Sequence, residues 1–475
     1  MPNFDFSYLS LPKSFYSITK PSKLVNAEIV LFNEQVAKQL GLSNSRQDLI
    51  SLITNEKYHQ RSYAQAYAGH QFGHFTKLGD GRALILGEHC TANKQRFDIQ
   101  LKGSGKTIYS RRGDGKATLK AMLREYLVSE SMYYLDIPSS RSLSVINTKQ
   151  DVYRETIKQG GLLTRVMKSH IRVGTFEYAR YFGSKKDLQA LTNYTIDRLY
   201  PELNKQKNPS ISLLKKVMNK QIDLVIHWMR VGFIHGVMNT DNTAISGETF
   251  DYGPCAFLNS YHPKTAYSSI DRNGRYAFGN QERIIKWNIT RFAEALLPII
   301  HHNSAKALQL AQSTIDEFDD IWKTKYQAMM LKKIGIDGKK THLYPLVAEL
   351  LECMEKYSLD YTHTFLMLSK NDVFVSMEGT NTDFVQWKRK WKRTIETTSS
   401  MKEANIIMST QNPVIIPRNQ LIEKSLEEAT NGNLIFFNRF LNALSRPYTY
   451  DDSLLEFMTP PSQNFEKQYQ TFCGT

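Results

Sequence analysis

Oxygen-bearing side chains that could hold a metal ion are concentrated in one stretch of the sequence, His235–Asn242, and at Asp251 beyond it. Asp241, Asn242 and Asp251 suit a hard cation such as Mg²⁺, which needs few protein ligands when substrate phosphates complete its coordination shell. Asp, Asn and Gly are also the residues of ordinary surface turns. The stretch alone therefore leaves both a metal-binding loop and a plain turn open.

The elements before and after this stretch decide where its side chains lie. Apolar residues three and four positions apart predict a helix over residues 221–233. The polar residues then lie on a loop at the end of a rigid element, where functional residues concentrate. Ala244–Ile245 and Phe250 are interpreted as short strands around a turn at Gly247, an arrangement that would bring Asp251 back toward Asn242.

A lysine and two glutamates form a second set of candidates. Residues 97–102 alternate apolar and polar side chains, which predicts a half-buried strand ending at Lys102. A helix is predicted over residues 117–134, and it carries Glu125 and Glu130. Kinase-like folds hold a phosphate-binding strand lysine with a helical glutamate. Periodicity places Glu130 inside the apolar stripe and Glu125 at its edge, so it does not choose between them, and a surface lysine beside a surface glutamate stays open.

Glycine-rich turns could bring backbone N–H groups close to a phosphate. Leu78–Arg82 is such a turn and leads into an apolar strand over residues 83–87. Gly103–Thr107 resembles a P-loop, but the glycine required five positions before Gly105 is Gln100, so that motif is rejected. A further glycine–acid turn follows at Arg111–Lys116.

Two arginines border the next predicted strand and turn, Arg165 within residues 161–167 and Arg172 within residues 169–174. Guanidinium groups match phosphate oxygens, so the pair could clamp a triphosphate, or the two could be ordinary surface arginines. Residues 176–234 are mostly helical in pattern. The order is a small sheet-rich part, a glutamate-bearing helix and a helical part with the candidate metal loop, and this order is kinase-like.

The predicted fold class is α+β, a protein-kinase-like fold of two lobes. Residues 1–60 are interpreted as an N-terminal arm, residues 61–180 as a β-rich N-lobe and residues 181–300 as a helical C-lobe. Residues 301–475 form an added helical region, with amphipathic segments at 305–332, 343–357 and 418–444 and an extended tail that contains Cys473.

Composition and charge narrow the function classes. The 475 residues carry a formal charge of +15 and are 41% hydrophobic, and no apolar run approaches the length of a membrane span. The positive charge favours anionic partners, but no nucleic-acid-binding signature is present, and nucleotide phosphates explain the charge as well. The basic run at residues 388–393 is interpreted as a solvated helix face. The four scattered cysteines and the lack of a visible secretory signal favour a bacterial cytoplasmic protein. Neither a membrane nor a nucleic acid is expected as a partner.

Ten motifs, in this order along nearly the whole chain, resemble the selenoprotein O family of kinase-like protein adenylyltransferases, called YdiU in bacteria. They are Tyr67–Gly73, Leu78–Arg82, Gln100–Gly105, Ser110–Gly115, Arg124–Leu127, Leu163–Val166, His235–Asn242, Asp251–Pro254, Gly274–Phe278 and Phe472–Thr475.

The resemblance implies transfer of AMP from ATP to Ser, Thr or Tyr hydroxyls of proteins, with release of pyrophosphate. It implies Asp241 as the proton acceptor, and Asn242 with Asp251 as ligands of Mg²⁺ or Mn²⁺. UTP is the alternative nucleotide. It also implies that Glu125, rather than Glu130, holds Lys102. The other residues that it assigns to the nucleotide site are Gly79, Gly81, Arg82, Asp114, Gly115, Arg165 and Arg172.

The sequence also departs from the family in the stretch where some members carry a second cysteine. Some members carry a cysteine after the Asp-Tyr-Gly-Pro motif that can pair with the terminal cysteine, but Ala266–Asp271 contains none. A regulatory disulfide of Cys473 is therefore in doubt.

The alternatives to AMP transfer are a conventional protein kinase and a catalytically silent nucleotide-binding scaffold.

Overall fold

A large antiparallel sheet organises the N-terminal third of the chain. The computed structural model describes residues 2–43, 45–369 and 382–472. Ten strands join in one sheet, whose central path runs β2-β4-β6-β7-β10-β9-β3, with β1 on β6, β5 on β4 and β8 on β10. The strands are β1 Phe4–Asp5, β2 Tyr16–Ile18, β3 Glu28–Phe32, β4 Tyr63–Gln71, β5 His74–Gly79, β6 Ala83–Cys90, β7 Arg96–Lys102, β8 Ala117–Thr118, β9 Arg141–Tyr153 and β10 Ile157–Met167.

Helices make up most of the remainder, so the chain is a mixed α and β protein. Those that accompany the sheet are α1 Glu34–Leu40, α2 Arg46–Thr54, α3 Leu119–Tyr134 and α4 Val173–Phe182. Those that follow are α5 Lys185–Leu199, α6 Pro209–Val231, α7 Gln281–Ile300, α8 Ser304–Asp316, α9 Phe318–Lys333, α10 Tyr344–Lys356, α11 Tyr361–Leu368, α12 Thr382–Thr398, α13 Met401–Gln411, α14 Asn419–Thr430, α15 Ile435–Leu444, α16 Leu455–Met458 and α17 Gln463–Gln468.

Helix α6 ends at Val231, two residues before the predicted end, and begins at Pro209, well before the predicted start at residue 221. Asn208 caps its first turn by accepting a hydrogen bond from the Ile211 amide, and Pro209 occupies the first helical position. Gly232 terminates it with a φ of +75°, a conformation that glycine adopts without strain. The chain then forms β11, Phe233–Ile234, which pairs with β12, Ala256–Phe257. This two-stranded ribbon closes the base of the loop that carries the polar stretch.

The predicted hairpin around Gly247 is wrong. Gly247 lies in a turn, but the flanking residues pair elsewhere: Ala244 forms a bridge with Arg172, and Thr249 forms one with Ser139. The sequence pattern predicted that these residues pair with each other, but segments far away in the chain pair with them instead. The loop of residues 244–249 is thus held by the segment that follows β10 and the segment that precedes β9.

Strand β7 is not half-buried as predicted, because both of its faces are covered. Ile99 and Leu101 pack with α1 and α2 in a separate apolar cluster. The opposite face carries Asp98, Gln100 and Lys102, all of which are buried as well. These polar groups point away from the apolar cluster and find charged partners, and they form the floor of the site described below.

The N-terminal 60 residues contribute three strands to the sheet, since β1, β2 and β3 pair with β6, β4 and β9. Beyond residue 300, the amphipathic segment predicted over residues 305–332 consists of two helices, α8 and α9, separated at Glu317. The basic run is the predicted solvated face except at Lys388, which is buried. Trp387 and Trp391 face inward, while Arg389 and Arg393 are exposed.

The tail is not simply extended, because Ser462 caps the short helix α17 by accepting a hydrogen bond from the Phe465 amide. Thr471 then pairs with Ser268 in a parallel bridge, within the stretch that lacks the family's cysteine. Cys473, the tail cysteine considered for a regulatory disulfide, lies outside the described residues. No described helix is both long and apolar enough to cross a membrane.

Candidate active site

Four charged side chains from four different parts of the chain meet at the end of β7. Lys102 Nζ donates to Glu125 Oε2 at 2.7 Å and also contacts Asp251 Oδ1. Arg165 Nε donates to Glu125 Oε1 at 2.8 Å, and its Nη2 reaches Asp251 Oδ1 at 3.3 Å. Gln100 completes the set by accepting from Arg165 Nη1 at 3.0 Å. We call Lys102, Glu125, Arg165 and Asp251 the ion cluster.

The structure pairs Lys102 with Glu125 and gives Glu130 a different task. Glu130 accepts from Arg141 Nε at 2.9 Å and from Asn33 Nδ2 at 2.7 Å, on the far side of α3. Both glutamates are buried, which is why the apolar periodicity of the helix could not separate them. Each carboxylate is compensated by a guanidinium group, as a buried charge requires.

The ion cluster keeps its two carboxylates ionised. Burial by itself would raise the pKa of Asp251, but Lys102, Arg165 and Arg82 outweigh it and hold that pKa well below its usual range. Burial is likewise outweighed by Arg165 and Lys102 at Glu125, whose pKa is lowered. The two cations and two anions form a compact charged group at one edge of the sheet.

Asp251 has an unusual backbone and a partly open side chain. Its φ is +66°, a left-handed conformation that aspartate tolerates better than most residues and that is concentrated at functional sites. Its side chain is 32% exposed, whereas that of Glu125 is 2% exposed. The short loop of residues 251–254, which we call the Asp251 loop, therefore presents its carboxylate to a ligand from outside.

Arg124 fixes the Asp251 loop from behind. Its Nε donates to the Gly253 carbonyl at 3.3 Å and its Nη2 to the Cys255 carbonyl at 2.7 Å. Its Nη1 pairs with Glu423 of α14 at 3.1 Å. Two adjacent residues of α3 thus help to hold this part of the chain. Glu125 acts through the ion cluster that includes Asp251, and Arg124 acts through hydrogen bonds to backbone carbonyl groups.

Asp241 lies in a second group, on a turn of 3₁₀ helix over Thr240–Asn242. It is buried at 8% exposure, and among the described residues its Oδ1 has no hydrogen-bond partner. Burial raises its pKa to about 6, against the opposing effect of Arg172. Gly69 of β4 packs directly against it, because a Cβ at that position would lie 2.4 Å from Asp241 Oδ1.

The loop around Asp241 is held by side chains from three elements. Thr240 Oγ1 donates to Glu177 of α4 at 2.5 Å and accepts from the His70 amide at 2.8 Å. The His70 ring contacts the other oxygen of Glu177 at 2.5 Å. From α7, Asn288 Nδ2 donates to the Met238 carbonyl at 3.0 Å. The position of Asp241 is therefore set by contacts far apart in sequence.

Arg172 connects the Asp241 group with the glycine turn of Leu78–Arg82. Its Nη1 donates to the Asp241 carbonyl at 3.2 Å, and its Nη2 lies 3.7 Å from Asp80 Oδ1. Its guanidinium also lies over the Tyr67 ring, 4.1 Å from the centroid. Arg172 is buried at the start of α4, so neither it nor Arg165 is the surface arginine that the sequence left open.

The remaining predicted glycines have structural contacts of their own. Cβ atoms at Gly79 and Gly81 would meet Tyr109, at 2.3 Å from its ring and 3.0 Å from its carbonyl oxygen. Gly115, with φ +69°, approaches Gly105 so closely that a Cβ would lie 2.1 Å from the Gly105 carbonyl oxygen. These turns require glycine because other chain segments pack against them.

Asp114 stands apart from the ion cluster. It forms an ion pair with Arg154 at 2.9 Å and accepts from the Lys116 amide at 2.9 Å. Its hydrogen bonds with Arg154 are the main reason why its pKa is lowered. Arg82 is nearer the centre, since it contributes to lowering the pKa of Asp251.

The residues suggested as metal ligands fit a hard cation completed by phosphate oxygens. Among the described residues no three His, Cys, Asp or Glu side chains are grouped to hold a metal unaided. Asn242 Nδ2 donates to the Val237 carbonyl at 3.0 Å, which directs the amide oxygen away from that carbonyl. Lys102 and Arg165 both contact Oδ1 of Asp251, whose side chain is 32% exposed. One amide and one carboxylate oxygen suit Mg²⁺ or Mn²⁺ when substrate supplies the rest.

Sequence reasoning missed several residues of the site: Gly69, Asp80, Arg124 and Glu177. The first three lie within the quoted motifs, so their position beside assigned residues was the available signal. Glu177 had none, because a single acid in a predicted helix looks like a surface residue until the helix is found buried against β4.

Comparison with known proteins gives consistent matches over the chain. The model of the family described as Protein adenylyltransferase SelO matches residues 2–445. A protein of Pelagibacter ubique named Protein nucleotidyltransferase YdiU is 48% identical, with 100% of this chain and 99% of that protein covered. Proteins of the same name from Brevibacillus brevis and Clostridium perfringens are each 46% identical, with 100% of this chain and 98% of each relative covered.

Proposed function

Because the chain belongs to the SelO family of protein adenylyltransferases, and is therefore a nucleotidyltransferase that uses ATP, we propose that it transfers AMP to Ser, Thr or Tyr hydroxyls of target proteins. Pyrophosphate is the second product. The proposal includes a kinase-like arrangement, with an N-lobe near residues 61–180, a C-lobe near residues 181–300 and a helical addition beyond. UTP is the alternative donor nucleotide.

The observation that carries the proposal is the ion cluster beside the Asp241 loop. A strand lysine held by a buried helical glutamate, with a partly exposed aspartate next to it, is the arrangement that binds nucleoside triphosphates in kinase-like enzymes. Arg165 adds a second cation within this cluster, and Arg172 supplies positive charge beside Asp241. Such groups counter the negative charge that develops on the leaving pyrophosphate.

Asp241 is proposed to orient the acceptor hydroxyl and to take its proton. A pKa of about 6 leaves the carboxylate mostly ionised at neutral pH, yet makes it a better base than an ordinary aspartate. Its buried Oδ1 has no hydrogen-bond partner among the described residues, so the hydrogen-bonding capacity of the carboxylate is not fully used within the protein. The nucleophile then attacks the α-phosphorus and the bond to pyrophosphate breaks.

Positioning accounts for most of the expected rate, since nucleotidyl transfer requires little covalent chemistry from the protein. Asn242 and Asp251 would hold Mg²⁺ or Mn²⁺, which supplies charge neutralisation at the phosphate oxygens. Lys102 would bind a phosphate oxygen in exchange for part of its contact with Asp251. Gly79, Gly81, Arg82, Asp114 and Gly115 are proposed to line the nucleotide.

The test is an incubation of the protein with metal and ATP labelled at either the α- or the γ-phosphate, followed by measurement of label in protein. Label from the α-position alone, absent in Asp251→Ala, is the expected result, and UTP labelled at the α-position tests the alternative nucleotide. Label from the γ-position alone would show a conventional kinase. Bound ATP without any transfer would show a silent scaffold.

A further inference from the structure

An exposed band of aromatic rings and cations runs past the Asp241 loop. Phe75 of β5 is 39% exposed, and Tyr181 and Phe182 of α4 are 51% and 45% exposed. The Phe75 ring lies 5.0 Å from Tyr181 and 6.0 Å from Phe182. Exposed aromatic side chains that touch one another are uncommon on a surface without a partner and are typical of interaction sites.

The band continues from Phe75 through His70 to the opposite side of the loop. The His70 ring lies 5.0 Å from Phe75 and 5.0 Å from the Trp287 ring of α7. The His70 backbone amide is bonded to Thr240, the neighbour of Asp241, and the preceding residue, Gly69, packs against the Asp241 carboxylate. The middle of the band therefore lies beside the proposed proton acceptor.

Cations flank the rings at both ends. Lys77 Nζ lies 5.0 Å from the centroid of Phe182. At the other end the guanidinium groups of Arg275 and Arg291 lie 4.9 Å and 5.0 Å from the Trp287 centroid. Arg291 pairs with Glu294, whereas Lys77 and Arg275 form no ion pair with any described residue. We define the acceptor band as His70, Phe75, Lys77, Tyr181, Phe182, Arg275, Trp287 and Arg291.

Negative charge in this region is already committed to the protein. Glu177 lies beneath the band and uses its two carboxylate oxygens for His70 and Thr240. Asp271 accepts the backbone amides of Arg275 and Tyr276, both at 2.8 Å, and is buried. Because Glu177 and Asp271 are buried, the side chains that the band presents at the surface are aromatic rings and cations, and a complementary partner is acidic and carries an apolar or aromatic side chain.

We propose that the acceptor band binds the segment of the target protein that carries the modified hydroxyl, and that this segment is acidic and contains an aromatic residue. The inference rests on the proposed function, since Asp241 gives the band its position relative to the chemistry. Single-stranded nucleic acid also binds to aromatic rings and cations. The proximity of Asp241, which would accept a proton from a protein hydroxyl, favours a peptide.

Direct binding tests the proposal without requiring turnover. The probes are a fluorescein-labelled peptide in which tyrosine and serine are flanked by glutamates and its counterpart with lysines in place of the glutamates. We expect the acidic peptide to bind at least about tenfold more tightly. Lys77→Glu should weaken its binding about three- to fivefold, the upper range of surface charge pairs, and Phe75→Ser about tenfold, as for an aromatic anchor.

Matched controls separate the band from general charge and hydrophobicity. Lys57→Glu makes the same charge change and removes a similar cation–ring contact, with Tyr58, outside the band. Ile435→Ser removes a side chain that is 72% exposed on α15. Both should bind the acidic peptide within twofold of the wild type, and all four variants should bind ATP normally.

Equal binding of the two peptides, or unchanged binding in Lys77→Glu and Phe75→Ser, would overturn the proposal. So would tighter binding of oligothymidine that displaces the peptide and is lost in the same two variants, because the band would then be a nucleic-acid surface. If the wild type binds the acidic peptide at the band but transfers no α-label to any protein, the proposed function fails and the docking surface stands. If transfer occurs, the two band variants should raise KM for the peptide and leave kcat nearly unchanged.

Discussion

Replacement of Gly69 by alanine tests whether the position of Asp241 controls transfer. The added Cβ would lie 2.4 Å from Asp241 Oδ1 and 2.9 Å from both Cβ and Cγ of Asp241. Ordinary contact begins near 3.4 Å, so the carboxylate must retreat by about 1 Å, and the loop must move with it because the clash includes Cβ. A misplacement of that size costs about 10²-fold in rate. We expect kcat for AMP transfer to fall by about that factor while the Kd for ATP stays within about threefold.

Stability gives a second, independent readout of the same change. Replacing glycine with alanine stabilises a protein by about 0.4–1 kcal/mol where the backbone tolerates it, whereas overpacking costs about 1–3 kcal/mol. The clash should dominate, and denaturant unfolding should show a net loss. Gly253→Ala is the matched control, because a Cβ there meets nothing within 4 Å. A Gly69→Ala enzyme with transfer within twofold of the wild type would refute this account of the site.

Three further changes test the charges of the site. Glu125→Gln leaves Lys102 and Arg165 without their shared buried partner; we expect a loss of about 3–5 kcal/mol in the free energy of unfolding and weaker ATP binding, measured by denaturation and calorimetry. Asp241→Asn should abolish transfer at every pH. The folded pKa of Asp241, about 6, lies above its unfolded value, so the wild type loses stability as the pH rises from about 4 to about 6. Asp241→Asn does not ionise and should therefore be more stable than the wild type by up to about 3 kcal/mol at pH 8. This advantage should disappear below pH 4. Arg124→Lys keeps the charge but cannot span the carbonyl groups of Gly253 and Cys255, and should raise the metal concentration for half-maximal transfer several-fold. An unchanged metal requirement would show that the Asp251 loop is held without Arg124.

Local patterns in the sequence predict most of the individual elements. The periodicity before Gly232 locates the end of α6, and the alternation over residues 97–102 locates β7. These predictions succeed because caps, glycine stops and side-chain period act over a few residues. Short patterns fail where a distant segment supplies the partner. The loop between Ala244 and Phe250 is not a hairpin, since its backbone hydrogen bonds join Ile245 to Ile171 and Thr249 to Pro138 and Ser140.

The sequence by itself determines the family of this protein, the expected chemistry of its candidate site and the order of its elements, because the motif residues can be recognised from their types and spacing alone. The family resemblance implies that Glu125 holds Lys102, and the structure confirms this pair. Only the tertiary structure shows that Glu130 meets Arg141, since the two glutamates lie on buried faces of one helix that differ only in what packs against them. It alone shows that Gly69 limits the space around Asp241 and that rings from β5, α4 and α7 form one band. Contacts of this kind join residues far apart in the chain, and no local periodicity records them.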